Sequence, residues 1–260
     1  MGTVTELVDA TIAELRAIHD RLASKATGLS PEQLTAQSGA DDWKVADVLS
    51  HLGSGAEIGR YPVLAAAGAP EDKPSNEEIW DRWDALRPAD QAAAFVASDE
   101  RLVSTYEGLS PEQRSSVEID LGFLPQPVPI ATSLGMRLNE AALHGWDVEV
   151  GLDPAAALSD TSAELLAEHF SSTMTFLLGF VGKPDGVGPA RVAVGDHTIV
   201  IEDSVRLEDG TDGATARFEG PLEAALRLLA GRLDPAHTPA GVTVSGDVTL
   251  DDLRTVFPGY

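Results

Sequence analysis

The spacing of the apolar residues changes once along this 260-residue chain, and that change limits the folds open to it. Before about residue 185, spacings of three and four dominate. Leu7, Val8, Ile12, Leu15, Ile18, His19 and Leu22 share one face of a helix expected over about residues 4–27. A second helix is expected over 44–67, with Val45, Val48, Leu49 and Leu52 on its apolar side. A third spans 75–107 and can break at Arg87-Pro88, since proline lacks the amide hydrogen a helix interior needs. Pro125, Pro127 and Pro129 exclude helix from 117–130 and leave an extended link before a fourth helix around Leu134–Asp147. The phrase Gly-Leu-Ser-Pro-Glu-Gln occurs at 28–33 and again at 108–113, and we read it as helix punctuation used twice rather than as a repeat. Long helices joined by long links describe a four-helix bundle, whose core is a usual place for a metal site.

Beyond a helix expected at 161–181, the breakers in Gly182-Lys-Pro-Asp-Gly186 end this regime. Short runs rich in β-branched residues follow, at 190–194, 198–202, 204–207 and 214–218. Glu208-Asp-Gly210 and Asp212-Gly213 have the chemistry of hairpin turns. A helix over 221–231, a strand at 242–245 and a closing helix at 250–256 complete the pattern. The fold class is therefore α+β, with a helical domain over residues 1–155 and a small α/β domain over 156–260.

The net charge of −24 is shared by both halves and leaves no basic stripe, which disfavours nucleic acid and anionic membrane surfaces as partners. No apolar run is long enough to span a bilayer, and the first residues lack the pattern of a signal peptide. These features fit a cytoplasmic protein, a monomer or small homo-oligomer acting on a small molecule. There is no cysteine, so any metal site must be built from His, Asp and Glu, and any thiol chemistry needs a thiol from outside the chain.

Glu140 and His144 stand four apart, one above the other on a helix face, where a carboxylate and an imidazole can grip one divalent cation. His51, on the second helix, is a third candidate ligand. Three protein ligands with one open position are the pattern of a catalytic zinc. The spacing equally suits a solvated helix pair, and a lone His beside an apolar face is more often a core residue. Arg137 and Asp147 extend the same polar stripe. Arg137 can orient Glu140 or bind an anionic substrate, Asp147 can hold the second nitrogen of His144, and simple salt bridging is the competing reading for both. His169 is expected at the surface, and neither His197 nor His237 has a partner at ligand spacing.

Three stretches together resemble the mycothiol-dependent maleylpyruvate isomerase family. They are Trp43-Lys-Val-Ala-Asp-Val-Leu-Ser-His51-Leu, Arg137-Leu-Asn-Glu-Ala-Ala-Leu-His144-Gly-Trp-Asp147, and the tail with Glu223–Arg232 and Gly246–Gly259. The resemblance implies a DinB-like four-helix bundle followed by a small sterol-carrier-like domain. It implies that His51, Glu140 and His144 bind a divalent metal, most often zinc, and that mycothiol serves as cofactor or co-substrate. Both cis-trans isomerases and thiol S-transferases fit, acting on a small electrophile. The alternatives are a thiol-independent metal hydrolase and a non-enzymatic small-ligand-binding protein. The active cleft is expected between the two domains, within reach of Arg227 or Arg232.

Overall fold

A computed structural model describes residues 3–259. The chain divides into two compact units, 1–156 and 157–260. In the first, four long helices carry the core: α1 (Val4–Gly28), α3 (Val45–Ala66), α5 (Pro88–Glu107) and α7 (Ile130–Val150). Between them lie the short helices α2 (Pro31–Leu34), α4 (Asn76–Asp84) and α6 (Pro111–Ser116) and the two-residue strands β1 (Glu118–Ile119) and β2 (Val128–Pro129), which pair antiparallel. α1 and α3 each pack on both α5 and α7, which closes the four into a bundle. Leu15, Ile18, Leu22, Leu49, Leu52, Phe95, Leu102, Leu134, Leu138 and Trp146 fill its interior.

Local chemistry explains where these helices start. The twice-used phrase gives the same result each time. Ser30 and Ser110 accept from the backbone N–H of Gln33 and Gln113, whose side chains accept the serine N–H in return at 2.9 and 2.8 Å. Each proline then occupies the first turn, where no amide hydrogen is needed. The expected helix over 75–107 is two: α4 ends at Asp84, and Arg87-Pro88 starts α5. α3 and α5 approach so closely at Gly53 that a Cβ there would lie 2.2 Å from the Trp83 ring and 3.0 Å from the Phe95 backbone.

The second unit begins with α8 (Asp160–Ser171) and α9 (Thr175–Val181), which replace the single helix expected over 161–181. The break follows Ser171, where Ser172 leaves helical geometry and the carbonyl of His169 accepts from both Ser172 and Met174. A five-stranded sheet follows in the order β5-β4-β3-β6-β7, built from β3 (Ala190–Val194), β4 (His197–Ile201), β5 (Val205–Asp209), β6 (Ala216–Glu219) and β7 (Thr243–Gly246). β3 and β6 pair in parallel, and every other pair is antiparallel. The turn chemistry at 208–213 therefore does not make a hairpin. Gly210 and Gly213, both at positive φ, send the chain from the edge strand β5 across to β6 beside β3. α10 (Leu222–Leu229) and α11 (Leu250–Val256) complete the unit.

His169 corrects a further expectation. It lies on the inner face of α8 and is fully buried, with Nδ1 2.7 Å from the Thr173 hydroxyl. Burial pushes its pKa down to about 4, because an imidazolium there would lose its water. The unfolded chain would bind that proton near pH 6.5. The stability associated with neutral His169 is thus fully present above that pH and is lost as pH falls toward 4. We expect urea unfolding at pH 4.5 to show destabilisation on the order of 2 kcal/mol from this residue alone. His169→Asn should reduce the difference between pH 7 and pH 4.5 by that amount. An unchanged pH dependence in the variant would contradict this assignment.

Candidate metal centre

α3 and α7 place the three candidate ligands. α3 starts at Val45 because the backbone N–H of Lys44 donates to the Asp47 carboxylate at 2.8 Å, and His51 follows nearly two turns later. Pro129 caps α7 in an extended conformation, so that Glu140 and His144 fall in its middle on one face. The helices run antiparallel: Gly55, one turn beyond His51, faces Arg137, one turn before Glu140.

His51 Nε2 donates to Glu140 Oε2 at 2.9 Å, and His144 Nε2 lies 3.7 Å from the same oxygen. One donor atom from each of the three residues lies within 4.8 Å of the other two. The side chains of His51 and Glu140 remain 39 % and 38 % exposed, so the cluster opens to solvent on one side. Burial of the Glu140 carboxyl raises its pKa. The His51 hydrogen bond and the charges of His144, His51 and Arg137 outweigh that and bring it down to about 2. The carboxylate is anionic at any ordinary pH.

Asp147 reaches back one turn and accepts from His144 Nδ1 at 2.8 Å, with its own side chain wholly buried. This bond fixes the tautomer that leaves Nε2 facing Glu140. Arg137 does not bond Glu140 among the described contacts. Its Nη2 donates to Asp99 on α5 at 2.6 Å and to the Leu52 carbonyl at 3.2 Å. In the second unit, Arg227 is buried, makes a two-pronged bond to Glu223 and donates to the carbonyls of Arg232 and His237. A guanidinium so engaged is a structural cation. Arg232 donates to the Ala230 carbonyl. His197 lies 3.3 Å from Asp209, and His237 bonds Asp234 at 2.8 Å.

One wall of the site is Trp43, which the resemblance named but to which the sequence assigned no role. The Trp43 ring stacks on His144 at 5.9 Å between centroids and 27° between planes, and leans on His51 at 5.0 Å. Its carbonyl accepts from Ser38 N–H, Ser38 Oγ and Gln37 Nε2, which shapes residues 37–43 into a tight loop. The Gly39 N–H straps that loop to α7 by donating to the Asp147 carbonyl at 2.8 Å. The available signal was the position of Trp43 directly before the helix that bears His51.

The donor set fits a divalent cation. Two imidazole nitrogens and one carboxylate oxygen are zinc-type ligands, and around a shared tetrahedral zinc they would stand about 3.4 Å apart. The observed separations, 2.9 Å from His51 to Glu140 and 3.7 Å from His144 to Glu140, lie on either side of that value. No competing thiolate exists in a chain without cysteine.

Comparison with known proteins bears on the same residues. The family model described as the mycothiol maleylpyruvate isomerase N-terminal domain matches residues 15–149, which include all three candidate ligands. No curated protein matches. Two solved structures are similar over 95 % of this chain and 98 % of theirs, each at 18 % identity. They are a mycothiol-dependent maleylpyruvate isomerase, with TM-score 0.64, and a histidine-to-alanine mutant of the same enzyme, with TM-score 0.65. At that identity they establish a shared fold.

A Cβ on Gly39 would lie 2.7 Å from Val150 Cγ1 and 2.9 Å from the Asp147 carboxylate. Gly39→Ala should therefore lift the loop from α7, at a cost of about 1–3 kcal/mol. In a Trp80→Phe background, which removes a tryptophan that is 50 % exposed, acrylamide should quench the variant's fluorescence more strongly as Trp43 leaves the imidazoles. Equal quenching in both proteins would show that the strap does not hold Trp43. By its match over more than half of its length, the chain belongs to the mycothiol maleylpyruvate isomerase N-terminal domain family.

Proposed function

We propose that this protein is a metal-dependent enzyme that uses an external thiol, mycothiol, on a small electrophilic substrate. The carrying observation is the convergence of His51, Glu140 and His144 at an opening to solvent, in a chain that belongs to a family named for thiol-dependent isomerisation. Those three residues would hold the cation, zinc by their chemistry. When bound, such an ion supplies Lewis acidity that lowers the pKa of a coordinated thiol or water.

The remaining residues act around that centre. Glu140 brings one negative charge, so a site with two neutral imidazoles keeps a net positive charge once loaded and favours an anionic fourth ligand. Asp147 keeps His144 in the tautomer that presents Nε2. Trp43 covers both imidazoles and limits the water that reaches them. An external thiolate that adds to an activated carbon–carbon double bond leaves a single bond free to rotate, and its expulsion returns the rotated alkene. The same thiolate that displaces a leaving group stays attached, which is the transferase outcome. We favour the isomerase, following the family. Dependence on a reduced external thiol supports a cytoplasmic setting for this chemistry. Among the described residues, no helix is long and apolar enough to cross a membrane.

Purified protein should take up close to one zinc per chain, read by elemental analysis. His144→Ala should lose metal and activity together, because too few ligands remain. Asp147→Asn should retain the fold and weaken zinc binding by about 10–100-fold. Incubation of the loaded protein with mycothiol and a panel of electrophiles, read by mass and chromatography, separates the chemistries. Products of unchanged mass and altered geometry support the isomerase, and thiol adducts the transferase. Turnover indifferent to thiol would establish a hydrolase instead, and protein that neither binds zinc nor turns over any substrate would be a binding module.

A further inference from the structure

A chain of ionic groups runs from the partly exposed Arg16–Glu100 pair through a buried His19–Asp99–Arg137 segment and ends beside the candidate centre. Arg16 on α1 grips Glu100 on α5 at 2.5 Å, and Glu100 lies 3.1 Å from His19 Nε2. His19 Nδ1 donates to Asp99 Oδ2 at 2.8 Å, and Asp99 Oδ1 accepts from Arg137 at 2.6 Å. His19 and Asp99 are almost wholly buried, and the Arg137 side chain is only 10 % exposed. Both ring nitrogens of His19 face carboxylates, which is the arrangement of an imidazolium.

Burying the three charges of His19, Asp99 and Arg137 is expensive, and bundle stability does not require it. Apolar side chains of similar volume commonly serve as well or better. What distinguishes this network is its inner end. Arg137 sits one turn before Glu140 on α7 and donates to the carbonyl of Leu52, the residue after His51. It therefore touches both helices that carry the ligands. Its Nη1 lies beside Gly55, one turn beyond His51, where a Cβ would stand 3.6 Å away. A fixed cation in that position repels a dication at the three ligands unless a buried anion offsets it.

We propose that Asp99, held by His19, is the positioning residue that fixes Arg137 beside the centre and compensates its charge so that a divalent cation can bind. This inference rests on the metal-centre reading above. It gives the Asp99–Arg137 pair a definite electrostatic role: the pair ties a guanidinium to both ligand-bearing helices while leaving metal affinity intact. Arginine does not titrate in proteins, so the network carries no proton to the centre. Its contribution is charge and position.

The test is a calorimetric titration of Zn2+ into the metal-free full chain. Asp99→Asn keeps the size and the acceptor oxygen but loses the charge, and should weaken binding about tenfold or more. Arg137→Gln removes the repelling cation and should bind Zn2+ more tightly than wild type. The double variant D99N/R137Q should return to within about threefold of wild type or exceed it. That rescue is the readout a merely structural role would not move, since a packing defect at Asp99 is not repaired by a second change at its partner. Unchanged affinity in folded Asp99→Asn, or a double variant as weak as Asp99→Asn, would overturn the proposal. If Asp99→Asn fails to fold by circular dichroism, Arg137→Gln decides: equal or weaker affinity overturns the proposal, and tighter binding supports it. Wild-type protein that takes up no Zn2+ would bring down the metal-centre reading and this inference together. Wild-type binding with unaltered variants would bring down this inference alone.

Discussion

The register between α3 and α7 is the constraint on which the candidate centre depends. The two helices run antiparallel with Gly55 opposite Arg137, and that pairing sets His51 against Glu140 and His144. A slip of one residue on either helix rotates its side chains by about 100° and takes the candidate ligands off the shared face. The apolar contacts of Leu49, Leu52, Leu134 and Leu138 favour burial but are tolerant of small shifts. Directional contacts are less forgiving. The bonds from Arg137 to the Leu52 carbonyl and to Asp99 tie α7 to α3 and α5 at one level of the bundle.

Charge is distributed unevenly across this bundle. The outside is acidic and solvated, in line with the net charge of −24. Inside, each ion of the Asp99 network has a partner of opposite sign. Burial alone would raise the Asp99 carboxyl, and Arg137 and His19 together hold it below its ordinary value. The Asp99 hydrogen bond in turn raises His19 against the lowering effect of its burial. Partnered in this way, groups that would be costly singly become a rigid scaffold.

Much of this was legible in the sequence, for identifiable reasons. The long helices announced themselves because each buries a stripe of three- and four-spaced residues, and Glu140 and His144 were visible because a helix turns their spacing into proximity. Pro88 marked a helix start by its missing amide hydrogen. The division of 161–181 into two helices was not legible, because the break is set by where the His169 carbonyl finds donors. The parallel β3–β6 pairing was hidden for the same reason: Gly210 and Gly213 specify a turn, and partner choice belongs to the whole sheet. His169 read as polar because it follows Glu168, although its neighbours Leu165, Leu166 and Phe170 are all buried. The network through Asp99 left one trace, a histidine among the apolar residues of α1 at position 19. Its partner lies 80 residues away, and no periodicity connects the two.

Asp147 joins two parts of the site through different atoms of one residue. Its carboxylate holds His144, and its backbone carbonyl holds the Gly39 N–H of the loop that ends in Trp43. The aromatic wall and the second imidazole thus share a hinge pin, and neither can be repositioned without disturbing the other. For anyone wishing to transplant this candidate centre onto a different helical scaffold, the three candidate ligands on two helices would be an incomplete graft. The portable unit runs from Gln37 through Leu52 together with Arg137 through Asp147, and the host would need a third helix to present an acid to the arginine.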